Sequence, residues 1–367
     1  GQLCTLEATR AWTVREVKAA IEAEAKIPHI EQRLLCESEE PREAELLSSL
    51  PAGEALDLSV VRRRPEAAEW LAIAEESGRD FEKAPEWVRA DREIMFAAVQ
   101  HSGNLLRFAA DELRRDRALV LAAVAQNGHV MQFVVEELRE DREVAAVAAR
   151  QSGLALRSMP KCFGADREVV TVAVQQNGLA LEFTATEVRS DLEVVLAAVR
   201  QNGLALQFVS PRLRSSSEVV LAAARQNGLA LQFAAVELRG DPAVVLAAVR
   251  QNGLALERAA QELRASHEVV VAAVRQNKRA IECAAPKLRA DRAFILAAVQ
   301  ANGLVLQHAA KELRGDLEIV LAAVGQNGLA LQFASQELKA DLRVVLSAAR
   351  QDEAALRFAA QKLRVGR

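Results

Sequence analysis

The strongest constraint on the fold is a 25-residue period that runs from Asp91 to the end of the sequence. One position of the period holds aspartate at 91, 116, 141, 166, 191, 241, 291, 316 and 341, and serine at 216 and 266. Glycine recurs twelve residues later, at 103, 128, 153, 178, 203, 228, 253, 303 and 328. A strict period over most of a chain predicts stacked units that bury their faces against neighbours, in place of one large core.

The register extends backwards in degenerate form to Glu66, so we count twelve repeats over residues 66–365. Repeat 1 begins at Glu66, repeat 2 at Asp91 and repeat 12 at Asp341. The apolar residues are mostly Ala, Val and Leu, tyrosine is absent, and aromatic residues make up 4% of the chain, which favours closely packed short helices. The sequence therefore predicts a mostly α fold, an α-solenoid of about twelve 25-residue two-helix repeats.

Residues 241–265 show the chemistry of one repeat most clearly. Asp241 is a typical helix N-cap, and Pro242 lies at the first helical position, where proline is tolerated. We predict a helix of about ten residues that ends at Asn252 and Gly253, with the glycine in the left-handed conformation. A second, shorter helix over 254–260 and one further turn over 262–264 complete the predicted repeat. The repeats share the consensus core VVLAAVRQNGLALQFA, which resembles the domain-of-unknown-function 4116 repeats. This resemblance implies the repeat fold and no activity.

Residues 1–65 do not follow the period and have an α+β pattern. Thr13 and Glu16 form a capping box before an apolar helical stripe. Residues 3–7, 32–35 and 56–61 are typical of strands. This part of the chain resembles ubiquitin in the order of its elements. They are the helix, the Lys-Ile-Pro segment at 26–28, the Gln-Arg-Leu-Leu strand at 32–35 and the strand at 56–61.

The ubiquitin resemblance implies a β-grasp domain over residues 1–65, followed by the helical repeats over 66–367. The match begins after the family's first strand, so we expect a truncated domain. The family's apolar contact patch corresponds to Leu35, Asp57 and Ser59, of which only Leu35 is apolar. Contact with ubiquitin-handling proteins is therefore one expected role, and conjugation is not expected because no Gly-Gly pair precedes residue 66.

Charge and cysteine content narrow the classes of partner and compartment. Residues 66–367 carry equal numbers of acidic and basic side chains, which argues against general attraction to nucleic acid or to an acidic membrane surface. The four cysteines have no short pairing, as expected for free thiols in an intracellular, cytoplasmic protein. No apolar run approaches the length of a membrane span, and no signal peptide is present in the sequence given.

An arginine row is the first candidate binding feature. The last turn of the repeat carries arginine at 114, 139, 189, 214, 239, 264, 289, 314 and 364, and lysine at 339. Arg214, Arg239, Arg264, Arg289 and Arg314 would form a continuous track for phosphate or acidic peptide. The alternative is that each arginine pairs with the glutamate two residues before it or with the Asp cap of a neighbouring repeat. We expect Glu or Asp partners near this row.

Two other rows have structural explanations. Gln-Asn pairs begin at 126, 176, 201, 226, 251, 276 and 326, directly before the position of the repeat glycine. Such side-chain amides could read RNA bases. Alternatively, they could bind the orphan carbonyls at a helix end and bridge to the next repeat, and this structural interpretation is favoured here. Phenylalanine recurs at 108, 133, 183, 208, 233, 333 and 358, where we expect core packing.

The period is interrupted in repeats 8–10. The phenylalanine position holds Arg258, Cys283 and His308 in turn, and Lys278 replaces the repeat glycine. A packed position that becomes polar in three neighbours must be solvated, paired or used for binding. These four residues are therefore candidate binding residues.

No motif for catalysis, metal or cofactor binding is present. The five histidines are scattered, and HExxH, GxSxG and P-loop sequences are absent. The sequence predicts a non-enzymatic scaffold without a cofactor that binds a protein or peptide along the repeats. The alternatives are an RNA- or phosphate-binding solenoid that uses the arginine row, and a ubiquitin-pathway adaptor.

Overall fold

A computed structural model describes residues 8–36, 39–41, 43–50, 58–76 and 80–364. The described part is mostly helical, with one small sheet near the N-terminus. The chain divides into two compact units, residues 1–151 and residues 152–367. The predicted strand at 3–7, Cys4, and Leu56 and Asp57 lie outside the described residues.

The N-terminal part of the first unit packs one helix against two strands. Helix α1 (Val14–Ala25) begins with the predicted capping box, in which Thr13 and Glu16 bind each other's backbone N–H groups. Strands β1 (Gln32–Cys36) and β2 (Leu58–Arg62) are antiparallel, with Leu34 opposite Val60. Apolar side chains of α1 and β1 form one buried cluster with Leu47 and Leu50. Single-turn 3₁₀ helices cover His29–Glu31 and Leu47–Ser49.

Arg63 ties this part to the first repeats of the same unit. Its guanidinium donates hydrogen bonds to the Gln32 carbonyl (2.9 Å), to Glu40 (3.1 Å) and to Glu93 in repeat 2. Helix α2 (Pro65–Glu76) then begins the degenerate repeat 1, which also contains a 3₁₀ turn at Phe81–Lys83. The N-terminal α/β segment and the repeats are therefore joined by ion pairs in the structure.

Each of repeats 2–12 contains a ten-residue α-helix, which we call the long helix. These helices bury three to five apolar residues each, such as Val244, Val245, Ala248 and Val249. Their bounds are Arg92–His101, Arg117–Gln126, Arg142–Gln151, Arg167–Gln176, Leu192–Gln201, Ser217–Gln226, Pro242–Gln251, His267–Gln276, Arg292–Ala301, Leu317–Gln326 and Leu342–Gln351.

The second element of each repeat is a six-residue 3₁₀ helix, where we had expected a second short α-helix. These are Gly103–Phe108, Gly128–Phe133, Gly153–Ser158, Gly178–Phe183, Gly203–Phe208, Gly228–Phe233, Gly253–Arg258, Lys278–Cys283, Gly303–His308, Gly328–Phe333 and Glu353–Phe358.

A third turn completes each repeat. It is a four-residue α-helix at Glu86–Arg89, Asp111–Arg114, Glu136–Arg139, Pro211–Arg214 and Gln361–Arg364. It is a 3₁₀ turn at Lys161–Gly164, Val188–Ser190, Leu238–Gly240, Leu263–Ala265, Pro286–Ala290, Leu313–Gly315 and Leu338–Ala340. Within each unit, long helices pack against long helices and six-residue 3₁₀ helices against their counterparts in the next repeat.

The repeat glycine has a different role from the predicted one. None of the repeat glycines has positive φ, and Asn252 ends the long helix in an extended conformation while its side chain caps the following 3₁₀ helix. A Cβ built on Gly253 would instead overlap the carbonyl oxygen of Ala273 in the next repeat. The prediction of a left-handed glycine is therefore wrong, and glycine is needed because two repeats approach closely at this point.

Candidate functional site

The arginines of the third turn, here called the edge arginines, bind carbonyl groups more than acids. Arg189 donates to the carbonyls of Glu182 (2.5 Å) and Thr184 (3.1 Å), and Arg264 donates to the carbonyl of Cys283 in the next repeat (2.7 Å). These carbonyls lie at the C-terminal ends of 3₁₀ helices, where a positive charge is favourable. In the described part of the chain, only Arg114 of this row forms an ion pair, with Asp111.

Burial also distinguishes the edge arginines from a free anion track. Arg114, Arg139, Arg189, Arg214, Arg239, Arg264, Arg289, Arg314 and Lys339 are all half-buried, and the side chain of Arg364 lies outside the described part. Arg89, in the same position of repeat 1, lies 5.9 Å from the centre of the Phe108 ring. The expectation of Glu or Asp partners is therefore wrong for this row apart from Arg114, which pairs with Asp111. Arg189, Arg264 and Arg289 donate to carbonyls at helix ends instead, and the half-buried side chains of the row cover apolar surface.

The Gln-Asn row forms a bridge between neighbouring repeats. Gln276 accepts a hydrogen bond from the backbone N–H of Gly253 in the preceding repeat (2.6 Å), and the same bond recurs from Gly103 through Gly328 wherever glycine and glutamine face each other. Several of these glutamines also donate to a carbonyl of the preceding repeat, as Gln226 does to Gln201 (3.3 Å). Asn252 caps the 3₁₀ helix through the N–H of Leu254 (3.1 Å). These amides serve the fold, as the structural interpretation predicted.

The bridge is missing between repeats 9 and 10, which we call junction 9–10. Lys278 replaces the glycine, and Ala301 occupies the position of the glutamine that would accept from it. The acceptor of the bridge is therefore absent, and the residue that carries the donor N–H has gained a side chain. Alanine has no acceptor, and lysine adds a Cβ at the point of closest approach seen in the other repeats.

The phenylalanine row is half-buried, whereas we had expected it to pack in the core. It is the last residue of the six-residue 3₁₀ helix, and the seven phenylalanines have intermediate exposure. Arg258 is exposed and pairs with Glu257 (3.5 Å), while Cys283 and His308 are half-buried. Because the position borders solvent, polar replacements are tolerated there.

Cys283 and His308 lie at the ends of neighbouring 3₁₀ helices that pack together. Burial raises the pKa of the Cys283 thiol, and Glu257 acts in the same direction. Burial lowers the pKa of the His308 imidazole, aided by Arg289 and Lys278. A thiolate–imidazolium nucleophile needs shifts of the opposite sign, so this pair is poorly suited to covalent chemistry.

A second arginine set, which the sequence interpretation overlooked, pairs with the aspartate caps. Arg117 at the start of one long helix binds Asp141 (2.8 Å) and Glu143 of the next repeat, and Arg292 binds Asp316 (2.8 Å) and Glu318 (2.6 Å). These hydrogen bonds lower the pKa of Asp141 and Asp316. The spacing of 24 residues between each arginine and its aspartate could have indicated this pairing in the sequence.

A third set, the outer arginines, is also one that sequence reasoning missed. Arg200, Arg225, Arg250 and Arg275 are exposed in the last turn of the long helices of repeats 6–9. No acidic partner lies within ion-pair distance of them among the described residues. Leu196, Leu221, Leu246 and Val271 lie one turn earlier on the same helices. We call these eight residues the outer face.

Grooves between successive long helices run across the outer face. One groove of about 590 Å³ is lined by Arg200, Glu218, Leu221 and Arg225. Another of about 560 Å³ is lined by Leu246, Arg250, Glu268, Val271 and Arg275. Each groove therefore offers a basic end, an apolar middle and an acidic end, which suits a segment with both apolar and acidic side chains.

No group of three or more His, Cys, Asp or Glu side chains in the described part of the chain could hold a metal ion. Cys162 and Cys283 are free thiols. No described helix has the length and apolar character needed to cross a bilayer.

Comparison with known proteins identifies the repeats. The model of a family described as a domain of unknown function (DUF4116) matches residues 71–114, 116–163, 166–214, 216–264, 241–289, 266–314 and 316–364. Most matched segments span about two of the repeats described above, and together they cover more than half of the chain. No curated protein and no solved structure matches the chain.

Proposed function

We propose that this chain, which belongs to the DUF4116 family of domains of unknown function, is a non-catalytic α-solenoid scaffold. Its function is to bind a protein or peptide along the repeated helical surface. The observation that carries the proposal is the outer face of repeats 6–9, where exposed arginines without acidic partners lie beside apolar side chains. Leu221, Leu246 and Val271 are half-buried there, while Leu196 is buried. Surfaces of this composition are typical of protein interfaces, which are enriched in arginine and apolar contacts.

The grooves support a peptide as the simplest ligand. Each is open, lies between two helices and repeats from one junction to another. A segment laid across the helices would meet the same set of side chains in each repeat. Binding would then gain from several weak contacts, none of which needs a deep cavity.

The proposal is tested by selecting binders from a random peptide display library with the full chain as bait. We expect enriched peptides whose affinity for the double variant Leu221→Asp, Leu246→Asp falls at least about tenfold, because two charges would be placed in the apolar middle of the grooves. Leu229→Asp is the matched control, since Leu229 is 39% exposed but lies on a 3₁₀ helix outside the grooves. Circular dichroism would show that all variants keep their helical content.

Failure to enrich any peptide would sink the proposal, as would peptides that bind the groove variant and the wild type equally. Retention on heparin or RNA at two salt concentrations tests the alternative, an RNA- or phosphate-binding solenoid. That alternative relied on the edge arginines, which are half-buried and of which Arg189 and Arg264 donate to backbone carbonyls. The balanced charge of residues 66–367 also argues against it.

For residues 1–65 we propose a ubiquitin-like β-grasp domain that precedes the repeats of 66–367. Helix α1, the antiparallel pair β1 and β2, and their shared apolar cluster support this assignment. Leu35 is half-buried and Ser59 is exposed at the positions of the family's contact patch, and Asp57 lies outside the described residues. An adaptor role toward ubiquitin-handling proteins in the cytoplasm follows as the third proposal, and binding to a ubiquitin-receptor domain would test it.

A further inference from the structure

Building on the proposed function, we propose that the outer arginines bind an acidic peptide in an extended, polyproline-II-like conformation with a carboxylate at every third residue. The four arginines occur in four consecutive repeats, each in the last turn of its long helix. Neighbouring long helices pack directly on one another, so the arginines form a row across the helices. The row is Arg200, Arg225, Arg250 and Arg275.

The fold does not need arginine at this position. The equivalent residue is Gln100, Ala125, Gln175, Gln300 and Gly325 in repeats 2, 3, 5, 10 and 11. The long helix ends in the same way in those repeats, at an extended Ser or Asn. A continuous run of exposed, unpaired arginines in repeats 6–9 is therefore a surface feature with a use outside the helix itself.

The pitch of the row matches a peptide with a three-residue period. Packed helices lie roughly 8–10 Å apart, so successive arginines are separated by about that distance. A polyproline-II segment has three residues per turn and rises about 3.1 Å per residue, which places every third side chain about 9 Å along one edge. Four carboxylates on that edge span about ten residues, which is the predicted length of the bound segment.

The apolar row determines the second edge of the peptide. Leu196, Leu221, Leu246 and Val271 lie four residues before the arginines, which is one helical turn away on the same face. A peptide with an apolar residue next to each acidic one would place its apolar edge on this row. Glu218 and Glu268 line the far end of the grooves and repel a polyanion such as RNA, whereas a peptide charged along one edge avoids them.

The test measures the affinity of acetylated (Glu-Leu-Pro)₄ amide for the full chain by isothermal titration calorimetry. We expect Arg225→Gln with Arg250→Gln to weaken binding about tenfold, because two exposed charge pairs are lost. Glutamine occupies the same position in repeats 2, 5 and 10, so the variant is compatible with the fold. Arg150→Gln with Arg350→Gln is the matched control, since both residues are exposed in the same position outside the row.

Peptide variants test the period. Affinity should rise from two to four Glu-Leu-Pro units and then level off, and it should fall when the same residues are reordered so that the glutamates are unevenly spaced. Equal binding of the ordered and reordered peptides would overturn the three-residue period. Equal binding to the Arg225, Arg250 variant and the wild type would overturn the site.

Two further outcomes separate this inference from the proposed function. If the Glu-Leu-Pro peptide does not bind while display-selected peptides still depend on Leu221 and Leu246, the acidic ligand is wrong and the peptide scaffold stands. If a twelve-nucleotide oligouridine binds through Arg225 and Arg250 and the peptide does not, the peptide assignment fails. If neither probe binds and the display selection is also empty, both proposals fail together.

Discussion

At the scale of single residues, the recurring aspartates explain where each long helix begins. Asp241 accepts hydrogen bonds from the N–H groups of Ala243 (2.8 Å) and Val244 (3.2 Å), which have no partner inside the helix. The serines at 216 and 266 hold the same extended conformation but make no side-chain cap. The period therefore tolerates loss of a cap, because burial between neighbours supplies most of the stability of such short helices.

We expect Asp241→Ala to lower the free energy of unfolding by about 1 kcal/mol, since two backbone donors lose their acceptor. Ser216→Ala is the control and should change it by less than about 0.5 kcal/mol, because Ser216 makes no such bond. Asp241 is suited to this test because the preceding long helix begins at Ser217 and brings no arginine to it. Urea unfolding followed by circular dichroism measures both, and equal losses would contradict the capping role.

The sequence was informative about residues whose partners are close along the chain. The Asp caps and the Thr13 capping box involve atoms within three residues, so spacing alone predicted them. Edge arginines such as Arg189 and Arg264 were misjudged because their acceptors are carbonyls at 3₁₀ helix ends, which no side-chain pattern reveals. The outer arginines were overlooked because an arginine in the last turn of a helix is common, and only the structure shows that these four lack acidic partners.

At the scale of secondary structure, the repeat glycine and the glutamine of the next repeat behave as one unit. Glycine allows the carbonyl of the neighbouring long helix to approach, and its N–H then reaches the glutamine side chain. The sequence predicted the helix boundary correctly, but assigned the glycine to a left-handed turn. The real cause is a contact 20 residues further along, between Gly253 and Ala273, and this could not be derived from local patterns.

Junction 9–10 allows this coupling to be measured in a double-mutant cycle. Lys278→Gly removes the side chain at the close approach, and Ala301→Gln supplies the acceptor found at the other junctions. We expect the double variant to gain about 1 kcal/mol more free energy of unfolding than the two single changes give when added together. This difference is the value of one hydrogen bond between two positioned groups. Additive effects in urea unfolding would show that the bridge does not form at this junction.

At the scale of the whole chain, the repeats make stability a sum of nearest-neighbour contacts. Within each compact unit, a long helix and its 3₁₀ helix pack on the same elements of the next repeat. The mostly helical repeat fold was predictable because period and apolar content are properties of the sequence as a whole. The 3₁₀ character of the second element was not, since it depends on how closely the repeats stack.

This additivity leads to a test with a deletion of one complete period. Removing residues 278–302 joins Asn277 to Gly303, so both Lys278 and Ala301 are lost and each remaining glycine of repeats 8–11 faces a glutamine. Removing residues 228–252 deletes the same length, joins Asn227 to Gly253 and leaves junction 9–10 in place. Both deletions keep the register, so both chains should retain the helical content per residue in circular dichroism.

Each deletion removes one set of neighbour contacts and should lower the melting temperature, but the two losses should differ. The deletion of 278–302 removes the junction without a bridge, so its melting temperature should stay higher than that of the 228–252 deletion by about 1–2 °C, as expected for roughly 1 kcal/mol in a chain of this size. Differential scanning calorimetry measures both. The opposite order would mean that junction 9–10 is held by contacts stronger than the Gly–Gln bridge it lacks, and the double-mutant cycle should then show no coupling.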